Sequence, residues 1–269
     1  MTRSRSARVA SERPFYGLHA DAYDALISDP VEPWVRAVTQ VMHQEGLCAP
    51  RVLDAGCGTG RHAAALIEAG CAVTLLDASA TLLDVAVSRS PGAPAILGDL
   101  CSTVRVRTFD AIVCRGVLND LIEDEERDRA MSSFAQATVP GGILALDVRD
   151  LEASRARADG GCRDTEVLLP NGHRLRYRSR PTWQAGLLRV EEQYELADGN
   201  GTEQDPRAYV FTMRPWTPDE LRTRLQRAGY DQVSIQPGVG RRTPDRLFVT
   251  ARRTSDQGVT ATGERLMLA

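Results

Sequence analysis

A glycine-rich segment, Val52 to Gly60 (VLDAGCGTG), constrains the fold of this chain more than any other feature of its sequence. It precedes His62 to Ala69, which has the composition of a helix, and Ala72 to Leu76, which has that of a buried strand. Glycines allow a tight strand-to-helix turn whose backbone can approach a ligand without side-chain collision. An acid, Asp77, closes the second strand, where it can hold a ribose diol. The pattern predicts a β-α-β unit that binds a nucleotide-containing cofactor.

The spacing of the glycines narrows the choice of cofactor. The dinucleotide fingerprint Gly-x-Gly-x-x-Gly needs its third glycine at position 61, which is Arg61 here, so a nicotinamide oxidoreductase is disfavoured. The pattern from Asp54 to Gly60 is instead Asp-x-Gly-x-Gly-x-Gly. It resembles motif I of the class I S-adenosylmethionine (SAM) methyltransferases.

The resemblance covers about residues 50–150 and 216–252. Phe109 to Cys114 would be the fourth strand of that family, and Pro140-Gly141-Gly142 looks like its turn into the fifth strand. Trp216 to Tyr230 resembles its last helix and loop. The resemblance implies a Rossmann-like class I methyltransferase fold, a mostly parallel seven-stranded sheet with helices on both faces.

The resemblance also implies how the cofactor is held. The glycines would cradle the methionine and ribose parts of SAM, Asp77 would bind the ribose hydroxyls, and Gly98-Asp99-Leu100 would place a carboxylate near the adenine amino group. The expected cofactor-binding residues are Tyr23, Trp34, Asp54, Gly56, Gly58, Gly60, Asp77, Ala78, Gly98, Asp99, Leu100, Cys114 and Arg115.

The segment before the glycine turn has a helical apolar stripe around Trp34. In many small-molecule members of the family, such a segment forms a lid that presents aromatic residues to the cofactor, and Tyr16, Tyr23 and Trp34 are the candidates here. Simple packing of these side chains against the core is the alternative.

Period-two segments after the fifth strand predict an inserted antiparallel β subdomain that forms a wall of the substrate site. Asn171-Gly172 is a strong hairpin signal within it. The expected boundaries are 1–14 for a disordered leader, 15–46 for a helical lid, 47–150 for the SAM-binding core, 151–215 for the insertion, 216–253 for the C-terminal part of the core and 254–269 for a flexible tail.

Alternate positions of one inserted strand carry Arg174, Arg176, Arg178 and Arg180. Opposite charges on a neighbouring strand could pair with them across a solvated face. Binding of an anionic substrate is the other interpretation.

Composition excludes several classes of protein. The net charge of −3 does not indicate a nucleic-acid groove, and no apolar stretch approaches the 18 residues that a membrane span needs. All 33 basic residues are arginine, which removes lysine chemistry. Six scattered cysteines without a C-x-x-C pair indicate reduced thiols in a cytoplasm, and neither they nor the four histidines have metal-ligand spacing.

The loop after the fourth strand, Cys114 to Asp120, resembles the Asn-Val-Leu-Asn-His-Leu loop of small-molecule N-methyltransferases, with Asp120 in place of histidine. Asp120 could hold a cationic or N–H-bearing acceptor or accept its proton, while Asn119 and Arg115 orient it. Capping of the following helix is an equal alternative for Asp120. His173 and Tyr177 are further acid/base candidates on the insertion.

Cys114 lies near the position where RNA cytosine-5 enzymes carry a nucleophile. The proline expected before it is Val113, so a core cysteine is favoured.

The sequence therefore predicts a cytoplasmic SAM-dependent methyltransferase that acts on a small molecule and uses no metal. A nitrogen of an amine or heterocycle in secondary metabolism is the favoured acceptor. The alternatives are O- or C-methylation, or a cyclase or decarboxylase that binds SAM without methylating.

Overall fold

The computed structural model of this chain describes residues 5–17, 20–27, 29–102, 108–158, 161–169, 171–197 and 203–255. The helices are α1 (Arg5–Glu12), α2 (Tyr23–Leu26), α3 (Glu32–Gln44), α4 (Arg61–Glu68), α5 (Ala80–Arg89), α6 (Asp124–Ala137), α7 (Leu151–Arg157) and α8 (Pro218–Arg227). The strands are β1 (Arg51–Ala55), β2 (Ala72–Asp77), β3 (Ala95–Leu97), β4 (Phe109–Arg115), β5 (Thr138–Arg149), β6 (Arg163–Leu168), β7 (Arg174–Gln184), β8 (Leu187–Ala197), β9 (Glu203–Met213), β10 (Tyr230–Pro237) and β11 (Arg246–Arg253).

Seven strands form one sheet in the order β3-β2-β1-β4-β5-β11-β10. The first five are parallel to one another, and β11 is antiparallel to both of its neighbours. The strand order reverses between β1 and β4, and in open α/β sheets ligands bind beyond the carboxyl ends of the strands at such a point. The predicted fold class is confirmed.

Alternation along β1 shows why both faces of this sheet are covered. Val52 packs into a buried cluster with residues of α3, α4 and α5, whereas Leu53 packs into a second cluster with residues of α6 and α8. Successive side chains of a strand point to opposite faces, so a strand that is apolar at both positions needs helices on each side.

The insertion forms a separate antiparallel sheet in the order β6-β7-β8-β9, as predicted. Asn171 and Gly172 lie in the β6–β7 turn, where Gly172 has a positive φ of 82°. Helix α7, which precedes this sheet, was not predicted.

Two predictions about the local structure are wrong. The expected disordered leader contains α1 from residue 5 onward, because Ala7 and Val9 bury their small side chains and the helix packs on the turn Val117–Asp120. The expected turn at Pro140-Gly141-Gly142 lies inside β5, where the register with β4 shifts. Residues 256–269 of the predicted tail lie outside the described residues.

The expected lid is not a continuous helix. Short 3₁₀ turns at Pro14–Tyr16 and Ala20–Ala22 lead into α2, and only α3 is long. Within the described ranges, no helix combines the length and the apolar character that crossing a bilayer requires.

Arg127 of α6 ties the loop after β4 to the segment that leads into α8. Its side chain is fully buried, donates to the carbonyl oxygens of Leu121 and Arg214, and pairs with Glu220 at 2.8 Å. The guanidinium also stacks 3.7 Å from the ring centroid of Trp216. This contact fixes one side of the loop that carries Asp120.

Replacing Arg127 by Ala should lower the free energy of unfolding by about 3 kcal/mol or more, because buried carbonyls lose their donor and a cavity forms. Arg129→Ala, on the exposed side of the same helix, should change it by less than about 0.5 kcal/mol. Urea denaturation followed by circular dichroism measures both. Equal effects of the two substitutions would contradict this assignment.

Candidate active site

A cavity of about 680 Å³ lies at the carboxyl ends of the parallel strands. One side is formed by the glycine turn and the ends of β2 and β4. The other side is formed by α1, α7 and the inner face of the inserted sheet. Its size is in the range of small-molecule and cofactor sites.

The glycine turn is hydrogen-bonded to the end of β2. The N–H groups of Gly56 and Cys57 both donate to the carbonyl oxygen of Leu76, at 2.7 and 2.9 Å. Gly56 has a φ of +80°, and a Cβ there would lie 2.4 Å from Cγ2 of Val117. Only glycine satisfies both conditions, since other residues rarely adopt that conformation and would collide with Val117.

Gly58 and Gly60 have different positions. Gly58 lines the cavity, and nothing lies within 4 Å of the place where its Cβ would be. Gly60 precedes α4 and packs on α5, where an added Cβ would lie 2.8 Å from Cβ of Ala86. Gly60 is absent from the cavity lining and packs between two helices, and its contact with the cofactor stays a prediction.

Asp77 is buried at the cavity and braces the turn. Its Oδ2 accepts from the N–H of Gly58 and its Oδ1 from the N–H of Ser79, each at 2.8 Å. Burial raises the pKa of this carboxyl, and the backbone N–H groups oppose that shift.

Part of the segment that was expected to bind adenine lines the cavity. Ala78, Gly98 and Leu100 line it. Asp99 is not among the lining residues, and its Oδ1 accepts from the N–H of Cys101 at 2.9 Å. Asp99 therefore shapes the turn after β3 in this conformation.

Asp54 lines the cavity at the end of β1. Burial and the neighbouring Asp77 raise its pKa to about 7, and its Oδ2 has no hydrogen-bond partner. Both effects disfavour the charged form in the protein alone. A cationic group of a ligand beside Asp54 would favour the charged carboxylate and lower its pKa.

Arg61, at the position where a dinucleotide site has glycine, holds the lid. It donates to the carbonyl oxygens of Ile27 and Asp29 at 2.6 and 3.2 Å. Nearby, the hydroxyl of Thr59 donates to Asp24 at 2.6 Å. The lid is thus hydrogen-bonded to the glycine turn itself.

Two aromatic candidates of the lid, Tyr16 and Tyr23, line the cavity. Trp34 does not, because it is fully buried between α3 and β11, where its ring meets Phe248 edge-on at 5.2 Å. The packing alternative is therefore the correct one for Trp34. Cys114 is likewise buried in the core and absent from the cavity lining, and its expected backbone contact with the cofactor stays a prediction.

The loop after β4 brings one predicted acid to the cavity. Asp120 is buried and lines it, whereas α6 begins only at Asp124 and has Glu123 as its N-cap. The capping alternative for Asp120 is therefore wrong. The side-chain amide of Asn119, in the same loop, donates to the carbonyl oxygen of Gly116 and accepts from the N–H of Arg149, each at 2.8 Å. It does not line the cavity and positions the loop instead.

The two acid/base candidates of the insertion, His173 and Tyr177, lie in different places. Tyr177 lines the cavity, whereas His173 lies in the β6–β7 turn outside the lining, so its predicted catalytic contact is not supported. Strand β7 begins one residue after His173, and its cavity-lining positions, which include Tyr177, lie further along it.

A buried acid, Glu192, was missed by the sequence analysis. It accepts from Arg13, from the Tyr177 hydroxyl at 2.6 Å and from the Tyr194 hydroxyl at 2.5 Å. Arg13 thereby connects the end of α1 to the inserted sheet. The sequence signal was an acid on the otherwise apolar face of β8, which also carries Leu188, Val190 and Tyr194.

Five arginines that line the cavity form what we call the arginine cluster. They are Arg115, Arg149, Arg157, Arg241 and Arg246. Of these only Arg115 was predicted. Asp147 and Arg149 end the apolar run of β5, and polar residues at that end of a parallel strand were a usable signal. Among the described residues, no group of His, Cys, Asp and Glu could hold a metal ion.

The raised pKa of Asp54 predicts a pH dependence of stability. Because the folded protein keeps this proton up to about pH 7 while the unfolded chain releases it near pH 4, the free energy of unfolding falls between those values. The slope from this group is at most about 1.4 kcal/mol per pH unit. Asp54→Asn should remove that component, as urea denaturation of the ligand-free protein at pH 5, 6 and 7 measures. Parallel pH profiles of the two proteins would contradict the assignment.

Comparison with known proteins agrees with this geometry. A family model described as a methyltransferase domain matches residues 52–142. The chain is 29% identical over 194 residues to a glycine/sarcosine N-methyltransferase of Aphanothece halophytica, covering 69% of this chain and 68% of that protein. It is 34% identical over 152 residues to the cypemycin N-terminal methyltransferase of a Streptomyces species, covering 55% and 61%. Its fold is similar to that of the sugar N-methyltransferase KedS8 of a Streptoalloteichus species, with a TM-score of 0.77 at 22% identity, covering 87% and 92%.

The matched residues include the glycine turn, the acid after β2 and the loop after β4. The structural likeness extends the shared fold to most of the remaining chain. Residues 52–142 therefore form a methyltransferase domain, the chain has the class I methyltransferase fold, and the enzyme is a SAM-dependent methyltransferase.

Proposed function

We propose that this enzyme methylates a nitrogen of a small-molecule amine. The observation that carries the proposal is the buried carboxylate of Asp120, which the turn Val117–Asp120 presents to the cavity that also contains the glycine turn. A carboxylate suits an acceptor that carries N–H groups or positive charge. In support, the three similar proteins described above are named for methylation of nitrogen or of an N-terminus.

We assign the cofactor to the side of the cavity formed by β1, β2 and β3. Gly56 and Gly58 would hold the methionine and ribose parts, and Asp77 the ribose hydroxyls. Asp54, whose Oδ2 is buried without a partner, fits the cationic end of SAM. Gly58 fits because it leaves open space where a side chain would stand.

When bound, SAM supplies a methyl group activated by the sulfonium charge, which passes in line to the acceptor nitrogen and leaves S-adenosylhomocysteine. An amine has a free lone pair only when it is unprotonated. Asp120 would accept one N–H of the acceptor, which aims the lone pair away from the carboxylate, and would take up the proton released on transfer. Tyr16 lies near enough to Asp120 and Glu192 for both to raise its pKa, behind burial as the main cause. Tyr16, Asp120 and Glu192 all line the cavity.

The lid would exclude water from this position. Tyr16 and Tyr23 line the cavity, and the lid is held by Arg61 and by the Asp24–Thr59 hydrogen bond. Water exclusion strengthens the electrostatic contacts inside and prevents side reactions.

We further propose that the enzyme acts in a reducing compartment such as the cytoplasm. The six cysteines are all unpaired, and two of them, Cys48 and Cys162, are exposed. A cavity of about 680 Å³ suits a small substrate in preference to a nucleic acid.

Asp77→Ala should raise the dissociation constant of SAM at least about tenfold, since it removes charge-assisted hydrogen bonds to the ribose. Isothermal titration calorimetry measures this constant. Asp84→Ala, an exposed change on α5, is the matched control and should leave it unchanged. An unaltered constant for the Asp77 variant would remove that residue from the cofactor site.

Asp120→Asn should lower kcat for an amine acceptor by about 10² to 10⁴, the usual contribution of a general base, with an unchanged dissociation constant for SAM. Release of S-adenosylhomocysteine from SAM and a panel of primary and secondary amines measures kcat. Asp219→Asn, which alters a carboxylate that is 97% exposed on α8, is the control. Absence of S-adenosylhomocysteine with every amine would overturn the proposed function. Product without S-adenosylhomocysteine would indicate a non-methylating enzyme.

A further inference from the structure

The arginine cluster contains more positive charge than its neighbours compensate. Its five guanidinium groups form ion pairs with three carboxylates, Asp29, Asp147 and Asp245. Two positive charges are left over among the described residues. Asp54 faces Arg115 from the glycine turn, but with a pKa of about 7 it supplies only part of one negative charge at neutral pH.

Much of this excess is buried. Side-chain exposure is 9% for Arg115 and Arg241, 11% for Arg246 and 21% for Arg149, whereas Arg157, at the rim, is 45% exposed. Burial and the nearby Arg149 and Arg241 lower the pKa of Arg246 well below its ordinary value, and burial lowers that of Arg149. Removing uncompensated charge from water is costly, so a cluster of this kind is stabilised by a bound anion.

Arg149, Arg157 and Arg246 each share their acid with another arginine. Asp245 is shared by Arg149 and Arg157, with 2.7 Å to the latter. Asp147 accepts Nε and Nη2 of Arg241 and also pairs with Arg246 at 3.2 Å. Each acid thus faces two guanidinium groups, whereas a full fork-to-carboxylate pair would engage one.

The backbone positions of these three arginines lie away from the glycine turn. Arg149 ends β5, Arg246 begins β11 and Arg157 ends α7. Neighbouring strands lie about 4.8 Å apart, so β5 and β11 are about 10 and 14 Å across the sheet from β1 and its glycine turn. They nevertheless line the same cavity as Asp120.

We propose that Arg149, Arg157 and Arg246 form an oxyanion subsite for the methyl acceptor. The acceptor then carries a carboxylate or phosphate group in addition to its amine, with the amine at Asp120 and the oxyanion at the arginines. This inference rests on the proposed function and narrows its substrate class. Planar guanidinium forks bind either oxyanion through two parallel hydrogen bonds.

The first test uses the full chain saturated with S-adenosylhomocysteine, so that the carboxylate of the cofactor is already bound. Acetate, inorganic phosphate and pyrophosphate are titrated separately by calorimetry at low ionic strength. We expect one saturable site, weakened at least tenfold by Arg157→Gln. Arg157 suits substitution because its side chain is 45% exposed. Arg155→Gln, an exposed change on the same helix outside the cavity lining, should leave binding unchanged.

The relative affinities identify the oxyanion. Tighter binding of acetate indicates a carboxylate on the acceptor, and tighter binding of phosphate or pyrophosphate indicates a phosphorylated acceptor. Three results would overturn the subsite: no saturable binding of any probe, equal binding by Arg157→Gln, or a tenfold weaker affinity of that variant for S-adenosylhomocysteine. The last would assign the cluster to the cofactor.

The second test is kinetic and separates this inference from the proposed function. Amines with and without an oxyanion are compared as acceptors. Arg157→Gln should raise KM at least tenfold for the anionic acceptors and leave KM for the uncharged ones unchanged. If both kinds are methylated and the variant affects them equally, the function stands and the subsite is rejected. If no amine is methylated, the proposed function fails even when anion binding persists.

Discussion

The hydrogen bonds between the glycine turn and the end of β2 are the interaction on which the rest of the site depends. One carbonyl, that of Leu76, accepts from both Gly56 and Cys57, and one carboxylate, that of Asp77, accepts from Gly58. These bonds bring the turn so close to the loop after β4 that position 56 has no room for a side chain. The cofactor side of the cavity and the loop that carries the acceptor-facing acid are therefore fixed relative to each other.

Arginine side chains connect several segments around this turn, in a chain that has no lysine. Arg61 holds carbonyl groups of the lid, and Arg13 joins α1 to the buried Glu192 of the inserted sheet. A guanidinium group presents several donors in a fixed plane, so a single side chain can hold two partners in a defined geometry. The cavity is lined both by the carboxylates Asp54, Asp77 and Asp120 and by the arginine cluster.

The features that could be predicted from the sequence are those that depend on local patterns of residues. The β-α-β unit and the hairpin at Asn171-Gly172 follow from periodicity and turn residues over short distances, whereas the seven-stranded sheet was implied by the family resemblance. The contacts of Arg241 could not be predicted, because its partners Asp147 and Asp29 are 94 and 212 positions away. Helix α1 was missed because its arginine-rich composition hid a face of small apolar residues. Trp34 was assigned to the cofactor because a helical apolar stripe does not show whether it faces a ligand or a β-strand.

Direct calorimetric titration of the full chain with SAM, S-adenosylhomocysteine and NADH tests the central claim, which is that the glycine turn and the acid after β2 bind an adenosyl sulfonium cofactor. The account predicts one saturable site for SAM and for S-adenosylhomocysteine and no binding of NADH. Saturable binding of NADH together with no heat from either sulfur compound would contradict it.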